Sequence, residues 1–463
     1  MAKSALQFAG EFLLEECKLL TTTGAELDIK NLVQNINIFE DLFSFTVSGD
    51  ILLKDTTNIV SNGPILGEER LLLKIQTPQS SPNADTTIDY MSTPLIVYKI
   101  NTTLSASEGA NIVSLNFTTQ EAFRNQTSRV SQSYKGQPSD IVEKIIRDKN
   151  YLNSKRRLFN ETTSNNMKVV YPNCKPFVAI EKLSEQSNSA TMNSSPSYLF
   201  FETTKGYHFR TIDGLCNAET KFVFRENIPN QLNKQGVIDP MKNLETLSKY
   251  NILSTRDTVK NMNSGLYSSK LIQHDLYNKT VKSQDYDYLK DYQKDVHTNY
   301  NSKELDVPLV STAPDSDSGL KISENTDSKL YVSITSAGKH FYETKDYPYQ
   351  SDNLDQTLQR RRSRISQIQT GLKMQIEVPG QTFIQAGDMI QLDIAAQSTM
   401  TNDKYDKQYS GRYLVTSIAH SFATGGDPRH IMRMSVSKDS VSSTLPSKGV
   451  SKINTDVGRT IKL

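Results

Sequence analysis

Between residues 37 and 60, NIFEDLFSFTVSGDILLKDTTNIV, apolar and polar positions alternate with a period of two. Phe43, Phe45, Val47, Ile51 and Leu53 fall on one side of an extended chain, and Ser44, Thr46, Ser48 and Asp50 on the other. Gly49 interrupts the apolar side, which predicts a bend or a bulge. ERLLLKIQTP, LIVYKINTTL and NIVSLNFTTQEAF carry the same strand signature around the polar loop SSPNADTTIDYMSTP. Residues 1–125 therefore read as an antiparallel all-β unit.

The texture then changes. SDIVEKIIRDKN places Ile141, Val142, Ile145 and Ile146 on one helical face behind Ser139, a predicted N-cap. KPFVAIEKLSEQSN opens a second helix with Pro176 in its first turn, and SYLFFETTKGYHFRTIDGL reads as a hairpin turning at Lys205-Gly206. Residues 126–235 form a small α+β unit on this reading. Strand patterns resume near 248 and in LYSSKLIQHDLYNKTVKSQDYDY. They return in LKMQIEV, DMIQLDI, GRYLVTSIAHSF and RHIMRMSVS, after a helix with Leu354, Leu358, Ile365 and Ile368 in phase. The expectation is a second antiparallel barrel from 236–285 and 350–437, broken by a polar, loop-rich insertion at 286–349. Residues 438–463, rich in Ser and Lys, read as an extended C-terminal tail.

Candidate chemistry is sparse. Adjacent Glu68 and Glu69 invite an acid/base pair, but on a strand over 68–75 neighbouring side chains diverge, whereas a glycosidase pair must converge across roughly 5–9 Å. Glu68, sharing a face with Arg70 and Lys74, reads as a surface or subunit-contact charge, and Glu69 as a rim or turn-fixing residue. The six histidines form no HxH, HExxH or Cys/His cluster, and His420 reads as hydrogen-bonded and half-buried. No GxSxG, P-loop or GxGxxG stands at a strand-to-helix junction. Arg360, Arg361, Arg362 and Arg364 form the one charge run, read as a solvated or subunit-contact face, because no aromatics interleave with them as nucleic-acid binding would require.

Composition agrees with a non-catalytic β protein. The chain has 463 residues, enough for several domains, and its net charge of +2 supplies no general attraction to nucleic acid or anionic lipid. Three scattered cysteines make no disulfide framework, and no apolar run reaches membrane-spanning length. No catalytic residue, metal ligand or cofactor is expected. A β-rich cell-wall glycan hydrolase and a nucleic-acid channel or portal-type protein stand as alternatives; the first needs a convergent acid pair and the second a basic stripe.

Three segments carry a resemblance. The first is IFEDLFSFTVSGDILLKDTTNIV followed by GPILGEERLLLKI, with Ile38, Phe39, Glu40, Gly49, Asp55, Gly67 and Glu69. The second is YLFFETTKGYHFRTIDGL, with Phe201, Glu202, Gly206, Phe209 and Leu215. The third is FIQAGDMIQLDI followed by YSGRYLVTSIAHSF, with Gly387, Asp388, Tyr413, Val415 and His420. In order and spacing they resemble the baseplate central hub proteins of contractile-tailed bacteriophages, a family that includes the base of the valine-glycine-repeat spikes of type VI secretion. The resemblance implies two tube-like β-barrels per subunit in a ring-shaped homotrimer that adapts a sixfold tail tube to a threefold central spike. Its implied partners are that spike, the distal tube protein, the tape measure protein and the baseplate wedge proteins, with phage DNA passing through the lumen without specific binding. The implied location is the virion tail, assembled in the host cytoplasm, with no membrane insertion. The 286–349 insertion, the tail, and the lack of an attached lysozyme or needle depart from the family pattern.

Overall fold

The computed structural model describes residues 6–56, 65–78, 85–107, 110–226, 239–276, 279–300, 306–315, 317–335, 354–396, 404–426 and 428–442, and the short strands 453–454 and 460–461. Strands β1 (Leu13–Leu20), β2 (Glu26–Asp28), β3 (Val33–Asp41), β4 (Ser48–Asp55), β5 (Arg70–Gln76), β6 (Thr87–Asp89), β7 (Leu95–Ser107) and β8 (Ala110–Thr118) form the N-terminal β unit. Helices α1 (Pro138–Arg147) and α2 (Pro176–Glu185) follow, with β9 (Val130–Gly136), β10 (Leu158–Asn160), β11 (Met167–Cys174), and the hairpin β12 (Tyr198–Thr203) and β13 (Gly206–Thr211). The C-terminal half contains β14 (Thr220–Arg225), β15 (Lys249–Ser254), β16 (Ser268–Asp275), β17 (Thr280–Asp287), β18 (Val307–Pro308) and β19 (Leu330–Thr335). It continues with α3 (Leu354–Thr370), β20 (Leu372–Pro379), β21 (Met389–Asp393), β22 (Gly411–Ala423), β23 (Arg429–Lys438) and β24 (Ser440–Val441).

Both β regions share one sheet of 14 strands, ordered β15-β20-β23-β22-β3-β4-β8-β7-β5-β1-β2, with β14 beside β21, β21 beside β22, and β6 beside β5. Its centre is the antiparallel pair β22–β3, which runs from Ser417 opposite Asp41 to Ala423 opposite Asn35. Alternation explains the burial: Ile418, His420 and Phe422 of β22 point into the core with Ile36 and Ile38 of β3. Ser417, Ala419, Ser421 and Ala423 stay half-exposed on the other face. The expected mainly β, antiparallel character is present, but among the described residues neither expected barrel closes. Among the described residues the sheet is open, ending at β2 and β15, because β22 pairs with β3 across the two halves rather than closing either one.

Other boundaries also move. Residues 268–287 do not join the large sheet. β16 pairs with β17 and, in parallel, with β19 from the expected insertion, and α3 covers one face of this small sheet through Gln359, which donates to Ser269 O at 3.0 Å. Pairing of 268–275 with 330–335 leaves no local trace in the sequence, since the alternation of a strand does not name its neighbour. Residues 438–442 are no free tail: Lys438, Asp439, Ser440 and Val441 are buried, and β24 pairs with β18. Gln137, not Ser139, precedes the first turn of α1; Ser139 is buried, its N–H donating to Thr163 Oγ1 at 3.2 Å. Phe43 and Phe45 lie in the turn between β3 and β4, where Phe45 packs on Phe177 and Phe200.

Gly49 produces no bulge: the β3–β4 register runs evenly through Ile38–Gly49, and its irregularity falls between Val33 and Asn35. The Phe117 ring lies across Gly49, so a Cβ there would stand 2.2 Å from Asn37 O and 2.3 Å from Phe117 Cζ. Gly49→Ala should therefore cost about 1–3 kcal/mol by overpacking. A urea titration that finds the variant as stable as the parent would contradict this account of the contact.

Candidate functional site

The loop leading into β5 is fixed by one carboxylate. Gly67 has φ of +90°, a conformation that favours glycine, and the loop turns there before β5. Glu69, fully buried, accepts from the backbone N–H of Leu66 at 2.6 Å, Gly67 at 2.9 Å and Glu68 at 3.1 Å. All three bonds end on one carboxylate, which acts as a local cap of the turn. β5 begins only at Arg70, so neither glutamate is within the strand. Glu68 and Arg70 are exposed, and Lys74 pairs with Glu15 of β1 at 2.6 Å rather than with Glu68. Glu69→Ala leaves three N–H groups without their acceptor and should cost about 1–3 kcal/mol, against a few tenths for Glu68→Ala. Equal melting temperatures for the two variants would refute that division.

The arginine run behaves differently from the solvated face expected of it. A helix sends residues 360, 361, 362 and 364 in four directions, and three of those directions here meet protein. Arg360 Nε donates to Asp295 Oδ1 at 2.7 Å and its Nη2 to Lys294 O at 3.0 Å. Arg361 Nη1 donates to the carbonyls of Ser184, Pro196 and Tyr198 at 3.2, 3.2 and 2.6 Å, and burial pulls its guanidinium down to about 10. Arg362 is exposed, its guanidinium 5.5 Å from the Tyr331 ring centre.

Arg364 is fully buried. Its Nε donates to Asp213 Oδ1 at 2.7 Å and its Nη1 to Gln367 Oε1 at 2.8 Å, and it also contacts Asp439 and the carbonyl of Val296. Asp439 further accepts from His297 Nδ1 at 2.9 Å, Thr298 N at 2.9 Å and Thr298 Oγ1 at 2.8 Å. Burial alone would raise the Asp439 carboxyl, but Arg364 and His297 together hold it far below the usual carboxylate range. Burial disfavours the His297 cation, yet Asp439 overrides it and raises that imidazole.

A second group of buried charges grips the β12–β13 hairpin. Glu202 lies 3.1 Å from Arg156 Nε and accepts from Val47 N at 3.0 Å and Thr119 Oγ1 at 2.9 Å. Arg156 Nη2 donates to the carbonyls of Thr203 and Thr204 at 3.0 and 2.8 Å, and its guanidinium lies 4.5 Å from the Tyr90 ring centre. Glu40 of β3 accepts from Thr204 N at 2.6 Å and from Ala386 N at 2.8 Å, joining the N-terminal sheet, the hairpin and the C-terminal half through one carboxylate. Sequence reading marked Glu40 and Glu202 as pattern positions without a role; a glutamate on the apolar phase of a strand was the available signal.

Three histidines are neutral core residues. His208 stacks between Phe159 and Phe201, with ring centres 4.5 and 4.8 Å away, and burial pushes it down to about 3. His420 is fully buried rather than half-buried. Its Nδ1 lies 3.1 Å from His430 Nε2, and burial pushes His420 down to about 3 and His430 well below its ordinary value. Among the described residues no group of three or more metal-ligating side chains converges, and no helix is long and apolar enough to cross a membrane. The buried charges hold distant segments in register.

No protein-family model matches this chain, and no curated protein matches it in sequence. Its fold is similar to that of a tail protein of solved structure. The tail protein from Neisseria meningitidis MC58 aligns with a TM-score of 0.50 at 11% identity, over 92% of this chain and 96% of that one. The 43 kDa tail protein of prophage MuSo2 from Shewanella oneidensis gives a TM-score of 0.49 at 10% identity, over 92% and 98%. The E. coli c3393 protein, a component of the type VI secretion system described as structurally similar to bacteriophage T4 tail proteins, gives 0.36 at 10% identity, over 92% and 76%.

Proposed function

We propose that this chain is a non-enzymatic structural component of a contractile phage tail, the central hub of its baseplate. In this role three copies form a ring that carries the threefold spike on one side and meets the sixfold tail tube on the other. Each subunit contributes two β regions, so three subunits offer six contacts, which reconciles the two symmetries. The observation that carries the reading is the central seam: one continuous sheet spans both halves of a fold shared with a tail protein over more than nine-tenths of each chain. The half-exposed face of β22, Ser417, Ala419, Ser421 and Ala423, is uncharged and small, which suits a lumen that lets DNA pass without holding it. Tape measure and wedge proteins complete the set of neighbours, and the chain acts within the virion tail.

Sedimentation of the purified full-length chain, alone and with its spike, tests the proposal. The expected species has three times the 52.1 kDa chain mass and shows a central hole in micrographs. A monomer that stays monomeric with the spike at micromolar concentration would overturn it, as would hydrolysis of cell-wall glycan by the purified chain.

A further inference from the structure

The arginine helix α3 forms the floor of a cleft of about 690 Å³. Phe43, Leu358 and Ile365 give it an apolar centre, and Phe43 is 42% exposed although it is a large aromatic side chain in a turn. The two walls differ in charge. On the β19 side, Lys329 and Arg362 both approach the Tyr331 ring, with the Lys329 ammonium 5.8 Å and the Arg362 guanidinium 5.5 Å from its centre. Two like charges are thus gathered beside one ring, and among the described residues neither has a carboxylate within ion-pair distance. On the α2 side, Glu181 and Glu185, one turn apart and exposed, line the opposite wall. Between the walls lies Arg361, which donates to three carbonyls; Glu185 and Glu181 act on its charge from the acidic wall and Arg362 from the basic one.

An apolar cleft with one basic and one acidic wall is complementary to a ligand that is itself dipolar. We propose that this cleft docks an extended peptide segment of a different protein. The segment crosses α3 with an apolar side chain on Phe43 and Ile365, an acidic side chain at Lys329 and Arg362, and a basic side chain at Glu181 and Glu185. A lipid headgroup or a free anion would use the basic wall but leave the apolar centre and the acidic wall unanswered. Charge on the walls then selects the partner more than it tightens binding, while the apolar centre supplies most of the affinity. The inference goes beyond the tail reading and does not depend on it, because a docking cleft of this chemistry serves any assembly to which the chain belongs.

The probe is the peptide Glu-Ile-Thr-Leu-Thr-Lys-amide, carrying fluorescein on an N-terminal β-alanine spacer so that the lysine amine stays free, read by anisotropy against the full-length chain. Binding is expected to weaken by about tenfold or more in the double variant Lys329→Glu/Arg362→Glu, whose two walls are both acidic. That variant should in turn bind better a probe in which lysine replaces the glutamate. Both substitutions are at side chains outside the core, and circular dichroism of the variant checks that it remains folded. Three results would each sink the proposal. One is no binding of the probe at about 1 mM, or equal binding by parent and double variant. Another is a change in the sedimentation of the chain alone on making the double variant, which would assign the cleft to a second copy. The last is binding that appears only after residues 338–352 are replaced by a Gly-Ser linker, which would assign the cleft to the connection between β19 and α3.

Discussion

Arg364→Met lowers the unfolding free energy by about 3–5 kcal/mol, the largest loss expected of any single substitution outside the apolar cores. The reason is the asymmetry of a buried ion cluster. With Arg364 in place, Asp213 and Asp439 share a fully desolvated guanidinium that gives each a counter-charge. Without it, two carboxylates remain in the interior, and Asp439 retains only His297 and Thr298 as compensation. The loss should be recovered in part by the triple variant Arg364→Met/Asp213→Asn/Asp439→Asn, since neutral groups need no counter-charge there. Urea unfolding of the parent, single and triple variants decides the matter. A triple variant less stable than Arg364→Met would mean that the cluster acts through shape and hydrogen bonds rather than through charge.

Mild acid should be the second large effect. His208, His420 and His430 are buried neutral, with folded values far below the ordinary 6.5. The unfolded chain therefore takes up protons at these positions first, and stability is fully present above pH 6.5 and lost as pH falls below it. Each such histidine contributes up to about 1.4 kcal/mol per pH unit, so the three together reach about 4 kcal/mol per unit between pH 6 and 5. His297 works in the opposite sense: its folded value is raised, so its contribution is fully present below 6.5 and disappears as pH rises through the folded value. Urea midpoints at pH 7.5, 6.5 and 5.5 should fall steeply only over the last step. A flat profile across that step would show that the native state admits these protons.

How much of this was legible beforehand follows from the range of the interactions. Period-two alternation located β3, β4, β7, β8, β22 and β23 because each strand buries one face locally. It could not say that β22 seals against β3, or that β16 leaves the large sheet for β19, since register across hundreds of residues has no local signature. Arg364 shows the same limit among charges. Four arginines in five positions look like a solvated run, and only the folded chain shows that one faces Asp213 and Asp439, 151 and 75 residues away. Glu69 is at the other extreme. Its three bonds reach no farther than residue 66, so its turn-fixing alternative could be written from the sequence alone.

The seam between β3 and β22 also sets a schedule. Ser421 and Asn35 are hydrogen-bonded across it although 386 residues separate them. At 5–20 residues per second, a ribosome emits β22 about 20–80 s after β3. For that interval β3 presents an unpaired strand edge, the kind of surface on which chains aggregate. The N-terminal sheet can form early, but the joint that unites the two halves can close only after β22 has left the ribosome. Translation rate and chaperone capture of the nascent chain, more than final stability, should therefore govern the yield of soluble protein.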